Sequence, residues 1–474
     1  MPIDTGGQAT DSSADTRFII DRAESLDLGG EFAVPPGDPI SHFGSGFVKT
    51  MASNIFLSNL DPDFCAQNTG YFTAPYEDRR HVKGYEIDRV NQSLQVSLSN
   101  GVTRTARIFE SQGAITIPLE SESIHFLPST VKPSLAVQNT CNFEETSILP
   151  SFIDADSLEE VQNLAFDKDA MTAALVITHK GELISERYSP SIDKDTPLES
   201  WSMGKSLTAT MLGILMLEGR YELDQPAPVP GWEYDARSEI TIRNILNMSS
   251  GLRFRAMQDP DYEVALGYPD HLYVYTGGIN AFEFAARCQQ QWRPGTVGRY
   301  RNCDPLLANY LIRLAVEEKG DNYHAFPQRA LFDKLGINSF ILETDPYGNF
   351  LTQGYEFGSA RDWARLGNLY LNDGIWSGER ILPEGWRDFV STLAPGWQAD
   401  KRPIYGGFFW INGDGDMPIP RDAYFMAGAG AQRTIIIPSH DLVVVRIGHY
   451  GGAPQGAVSL KLALARLMEA IPAS

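Results

Sequence analysis

Two groups of strand-like segments, far apart in the chain, constrain the fold more than any other feature. Residues 171–188, "MTAALVITHKGELISERY", read as two strands around a tight His-Lys-Gly turn. Near the C-terminus "YGGFFWING", "QRTIIIP" and "LVVVRIG" are again strand-like, and "AVSLKLALARLMEAI" closes the chain as a helix. Between them the chain is rich in Pro, Gly and Asn, with helical pieces such as "AFEFAARCQQ" and "PLLANYLIRLAVEE". Strands at both ends of one domain, with helices between, are expected to share a single sheet whose faces the helices cover. The expected fold class is therefore α+β. A mostly antiparallel sheet is flanked by helices and completed late, with a mainly helical insert at about 221–346.

Residues 155–474 are expected to form this main domain, and residues 1–154 an N-terminal extension packed on it. The extension reads as a flexible arm of 20 or so residues followed by short strands, with no long helix. Its clearest element is "RVNQSLQVSLSNGVTRTARIF", where apolar and polar residues alternate on both sides of Asn100-Gly101, the signature of a hairpin. "SIHFLPSTVKPSL" is broken by its prolines.

Composition excludes several function classes. A formal net charge of -21 over 474 residues argues against nucleic acid and anionic membrane surfaces as partners, because both need clustered Lys and Arg. The four cysteines form no CxxC pair, and the eight histidines are scattered, so neither a metal nor another cofactor is expected. No apolar run reaches the length of a membrane helix, and the N-terminus lacks the basic and apolar regions of a secretory signal. The expectation is a soluble cytoplasmic protein whose partners are a small molecule and water; a homodimer is left open.

The chemistry is carried first by "LESWSMGKSLTATMLGILMLEG", where Ser202 and Lys205 stand three apart at the start of an apolar helical run. Residues at i and i+3 share a helix face, and Glu199 and Ser200 are candidate caps. Desolvation lowers a lysine pKa, and a neutral lysine beside a serine hydroxyl can take its proton and make it a nucleophile. The same spacing recurs at Ser191 and Lys194, but in a Pro- and Asp-rich turn that gives it no alignment. A second signal is Tyr300-Arg301-Asn302, between a Pro-Gly turn and a helix. A phenol there can relay a proton, and an amide can hold a lysine or a substrate carbonyl. A third is the small-residue run Met426 to Ala431, which either exposes backbone N–H groups to an oxyanion or packs a helix closely on a sheet.

Taken in order, these stretches resemble the serine β-lactamase and penicillin-binding-protein superfamily, in particular its class C-like esterases and 6-aminohexanoate-dimer hydrolases. "GRYELDQP", "NILNMSSGLRF", "SARDWARLGNLYLNDGIWSGERILP" and "YGGFFW" fit the same pattern. The resemblance implies Ser202 as nucleophile, Lys205 and Tyr300 as proton-transfer groups, Asn302 as an orienting amide, and the N–H groups of Ser202 and Ala429 as the oxyanion site. The family's third motif generally begins with Lys or His; here the matching triplet is Met426-Ala427-Gly428. Methionine cannot pair with an anion, so the expectation is hydrolysis of a carboxylic ester or linear amide, with β-lactamase or D,D-peptidase activity, or an inactive binding protein, as alternatives. Met426, Ala427, Gly428 and Arg301 are candidate pocket residues, and Arg433 is close enough in sequence to replace the missing cation.

Overall fold

The protein is described by a computed structural model over residues 13–70, 76–134, 149 and 152–473. In it the two strand groups meet. The central sheet has six strands in the order Trp410–Ile411, Tyr424–Gly428, Gln432–Ile437, Leu442–Gly448, Thr172–His179 and Glu182–Tyr188. Every neighbouring pair is antiparallel. The expected turn between the two early strands holds Lys180 at φ +52° and Gly181 at φ +82°, the left-handed pair that suits the twist of a two-residue hairpin.

Five of these strands, all but Glu182–Tyr188, are buried along their whole length. Both sheet faces must therefore be covered, and helices do this. Gly456 of Ala453–Ala470 lies against Arg446, while Gly367 of Ala360–Leu371 lies against Val443 and Thr434. Val443 and Arg446 are an odd number of residues apart, so these two helices occupy opposite faces. Ala155–Ala165 packs beside Ala453–Ala470. The fold class is α+β, as the sequence implied.

Between the early and late strands lie the helices Ile242–Leu246, Asp270–Thr276, Ala281–Arg287 and Cys303–Glu318. A small second sheet orders Leu198–Glu199, Glu356–Gly358 and Ile341–Leu342, and so brings residues 199 and 356 together.

The extension departs from expectation. Ser13–Leu26, placed in the arm, is a helix; residues 1–12, like Cys141, lie outside the described residues. Its Arg22 is bonded to Asp400, and the Ala23 carbonyl accepts from Trp292 Nε1 at 2.9 Å. A long helix also exists where none was expected. Pro39–Phe56 spans 18 residues, is capped by Asp38, and is buried at every residue from Ser41 to Ile55. A helix enclosed on all sides shows no single apolar stripe, which is why its period was not visible in the sequence. It packs on a four-stranded meander, Val82–Asp88, Ser93–Leu98, Thr103–Ile108 and Ala114–Thr116. The second and third of these strands form the expected hairpin, with Gly101 at φ +83° and Asn100 Oδ1 accepting from the Val102 N–H at 3.1 Å. Among the described residues no helix is long and apolar enough to cross a membrane.

Candidate active site

Ser202 lies in a short 3₁₀ turn, Trp201–Met203, that feeds directly into the helix Gly204–Leu217. Trp201 and Met203 are buried while Ser202 is partly exposed, so the turn presents one hydroxyl to solvent. Trp201 holds φ +49°, a conformation that costs a bulky residue about 1–3 kcal/mol and persists only where the surroundings enforce it. The expected caps, Glu199 and Ser200, do not act as caps. Glu199 pairs across strands with Phe357, and the Ser200 N–H and hydroxyl both donate to the Glu356 carbonyl, at 3.2 and 3.0 Å. The Gly204 N–H is received instead by the Glu356 carboxyl, Oε1 at 3.0 Å. A side chain at 204 would have its Cβ 2.2 Å from Glu356 Oε2, so only glycine fits this approach.

Lys205 Nζ is 2.8 Å from Ser202 Oγ and donates to the Gln353 carbonyl at 2.5 Å. The side chain is 1% exposed. Burial pulls its pKa down to about 7, against the opposing pull of the nearby Glu356 carboxyl. The Tyr300 phenol lies near the Ser202 hydroxyl, and Lys205 Nζ sits 4.9 Å from the centre of its ring. Burial raises the Tyr300 phenol well above its ordinary range, although the neighbouring Ser202 hydroxyl and the charge of Arg433 work the other way. The ring of Tyr300 is held by Trp410 at 5.1 Å and Tyr405 at 5.8 Å. The other copy of the spacing, Ser191 and Lys194, is exposed, and its lysine pairs with Asp195.

Asn302 is fully buried; its amide nitrogen donates to the His271 carbonyl at 3.0 Å, and its carboxamide lies beside the Tyr275 phenol. Tyr275 in turn donates to the same Gln353 carbonyl that receives Lys205. Gly428 ends its strand directly against the Ser202 turn. A Cβ there would stand 2.1 Å from the Ser200 carbonyl oxygen and 3.1 Å from the Ser202 nitrogen. Ala429, the next residue, follows that contact.

Two of the expected pocket residues, Met426 and Arg301, are buried. Met426 is wholly buried opposite Thr434. Arg301 is 4% exposed and is taken up by Asp259 at 3.0 Å, the Leu252 carbonyl at 2.8 Å and the face of Trp292. Its charge serves the insert rather than a ligand. Ala427 pairs with Arg433, whose guanidinium donates to the Gln432 carbonyl at 2.8 Å. Gln353, Glu356 and Trp410 were not picked out from the sequence. Glu356 lies three residues before the start of one of the resembling stretches, but nothing local marks a carboxyl that acts across more than 150 residues. Among the described residues no cluster of His, Cys, Asp and Glu is placed to hold a metal ion.

A sheet with helices on both faces and a serine–lysine pair on a strained turn beside it is the arrangement of a beta-lactamase-like fold. The chain belongs to the beta-lactamase family, whose model matches residues 159–465. An uncharacterised protein of Alkalihalophilus pseudofirmus is 22% identical over 61% of this chain and 87% of its own. The 6-aminohexanoate-dimer hydrolase of Paenarthrobacter ureafaciens is 26% identical over 48% of this chain and 59% of its own length. Among solved structures, a Bacillus anthracis protein described provisionally as a 6-aminohexanoate-dimer hydrolase superposes with a TM-score of 0.53 at 20% identity, covering 73% of this chain and 89% of that one. These matches fall in the branch expected from the sequence. Membership of the family implies the serine-hydrolase chemistry typical of the superfamily.

Proposed function

We propose that the protein hydrolyses a carboxylic ester or a linear amide through an acyl-enzyme on Ser202. The observation that carries this reading is the 2.8 Å contact between Ser202 Oγ and a buried lysine whose pKa lies at about 7. A lysine of ordinary pKa would be almost wholly protonated at neutral pH and unable to act as a base. Lys205 takes the Ser202 proton as Oγ attacks the substrate carbonyl carbon. The oxyanion is received by the N–H groups of Ser202 and Ala429, a pairing supported by the close approach of Gly428 to the Ser202 turn. Tyr300, whose phenol lies near Ser202, passes a proton to the leaving alcohol or amine as the bond to it breaks. Water then attacks the acyl-enzyme with its proton taken up along the same route, releasing the acid and restoring the Ser202 hydroxyl.

The absence of a cation at 426 supports esters and linear amides over β-lactams. An anionic ligand would lose hydration without gaining the charge-assisted bond that a Lys or His could supply, a deficit of about 2–3 kcal/mol. The name of the Paenarthrobacter ureafaciens relative favours a linear amide among the candidate substrates.

Intact-mass analysis of the wild type and Ser202→Ala after brief exposure to p-nitrophenyl butyrate, a short linear amide and nitrocefin tests the proposal. An acyl adduct on the wild type alone is expected from the ester or amide. Turnover of nitrocefin at the rate of the best ester would overturn the substrate assignment, and an adduct on Ser202→Ala the nucleophile.

A further inference from the structure

The three buried carboxyls near the nucleophile turn, Glu199, Glu343 and Glu356, are at most 3% exposed and come from one small sheet and its border. Two of them are met by the extension helix Pro39–Phe56. Asn54 Nδ2 donates to Glu199 Oε2 at 2.5 Å. Glu343 accepts from Lys49 Nζ at 2.6 Å, from Ser53 Oγ at 2.8 Å and from the Ala114 N–H at 2.7 Å, all groups of the extension. Gly113, at φ +63°, lets this strand come so close that a Cβ there would be 2.7 Å from Glu343 Oε1. Lys49 is 2% exposed and also donates to the Ala114 carbonyl.

Glu343 is bound to the turn that serves Lys205. Its N–H donates to the Tyr355 carbonyl at 3.0 Å, and its carbonyl accepts from Leu351 at 2.8 Å. Lys49 Nζ stands 4.3 Å from the centre of the Tyr355 ring, which also packs on Trp201 and Tyr275 at 6.0 and 4.8 Å. From the other side, Thr352 Oγ1 is held by Thr208 at 2.6 Å and by Asn309 at 2.5 Å. The turn between these grips offers the Gln353 carbonyl to Lys205 and the Glu356 carboxyl to Gly204.

We propose that Lys49 is a positioning residue for acyl transfer at Ser202. By clamping Glu343 and the face of Tyr355, it fixes the turn of residues 352–356 that receives the Lys205 amine and the first N–H of the nucleophile helix. The extension is then part of the working site, although it supplies no group that touches substrate. This inference rests on the reading of Lys205 as the base. A backbone carbonyl favours the protonated form of an amine that donates to it, so loosening the Gln353 carbonyl lowers the Lys205 pKa further. The other groups facing Lys205 are Glu356, Tyr300 and, from the helix Asp270–Thr276, His271 and Tyr275. Of these, Tyr300 and His271 lie outside the 352–356 turn, while displacement of the Glu356 carboxyl, which holds the Lys205 pKa up, acts in the same downward direction.

The experiment compares Lys49→Met, Glu343→Gln, the double variant and Lys205→Ala in the full chain, using p-nitrophenyl butyrate. For folded Lys49→Met the expectation is a fall in kcat of about 10- to 100-fold, the scale of a misplaced reacting group. KM should stay within about threefold, and the acid limb of kcat/KM should move to lower pH. The double variant, which removes both charges, covers the case in which a lone Glu343 prevents folding. A folded Lys49 variant or double variant with wild-type kcat and pH profile would overturn the proposal. Insolubility of every variant at 49 and 343 would also overturn it, since the pair would then serve folding alone. Full turnover by Lys205→Ala would instead remove the reading of the base, whatever the Lys49 variants do.

Discussion

Replacing Gly428 by alanine adds one methyl group at the point where the sheet meets the nucleophile turn. The new Cβ would lie 2.1 Å from the Ser200 carbonyl oxygen. A carbon and a carbonyl oxygen settle no closer than about 3.3 Å, so strand and turn must separate by about 1 Å. That separation opens the space between the N–H groups of Ser202 and Ala429. Oxyanion donors work at about 2.7–3.1 Å, and losing one costs roughly 100- to 1,000-fold in kcat. Overpacking costs stability as well, but only about 1–3 kcal/mol. Gly428→Ala should therefore stay folded, melt somewhat lower, and lose at least about 100-fold in kcat on p-nitrophenyl butyrate. Gly84→Ala is the control, because nothing lies within 4 Å of a Cβ there. A folded Gly428→Ala enzyme within threefold of wild-type kcat would refute the placing of the oxyanion between these two N–H groups.

In the proposed mechanism Lys205 acts when neutral, with its pKa at about 7, so log kcat/KM should rise as pH increases toward about 7 and level off above it; Lys205→Ala should abolish turnover, and a flat wild-type profile from pH 5 to 8 would exclude this base. Tyr300→Phe keeps the packing on Trp410 and removes the hydroxyl, and should slow turnover roughly 100-fold with little change in KM; a rise in KM alone would make the phenol a substrate contact. Glu199 is pushed up to about 8 by burial, so the folded state keeps a proton that the unfolded chain releases above about pH 4. Stability from this group is complete below that pH and is lost as pH rises toward 8. Glu199→Gln should therefore gain on the wild type across pH 5 to 8, by an amount on the order of a few kcal/mol in denaturant titrations; a difference that stays constant with pH would contradict it.

What was legible in the sequence was local or periodic. The paired strands at 171–188 declared themselves by apolar content and a His-Lys-Gly turn, and the 93–108 hairpin by alternation around Asn100-Gly101. Ser202 and Lys205 are one helical turn apart, so their 2.8 Å contact needs little beyond local geometry. Tyr300 could be singled out as a loop phenol, but its approach to Ser202 is made by chain folding alone. The helix Pro39–Phe56 was missed because burial on every side erases the amphipathic stripe that marks a helix in sequence. Arg301 was assigned to the pocket because a charge beside a tyrosine motif looks available; Asp259, 42 residues away, takes it up.

By itself, then, the sequence determined which residues could carry the chemistry and which segments must be strands or helices, since propensity, turn residues and i, i+3 spacing act over a few residues. The tertiary structure decided how that chemistry is tuned. Glu356 caps the helix that follows Ser202, Gln353 receives Lys205, Gly428 presses on the Ser202 turn, and Lys49 holds Glu343 from the extension. Each of these contacts joins residues far apart in the chain, and the lysine's lowered pKa comes from burial, a property of the packed surroundings and not of its neighbours in sequence.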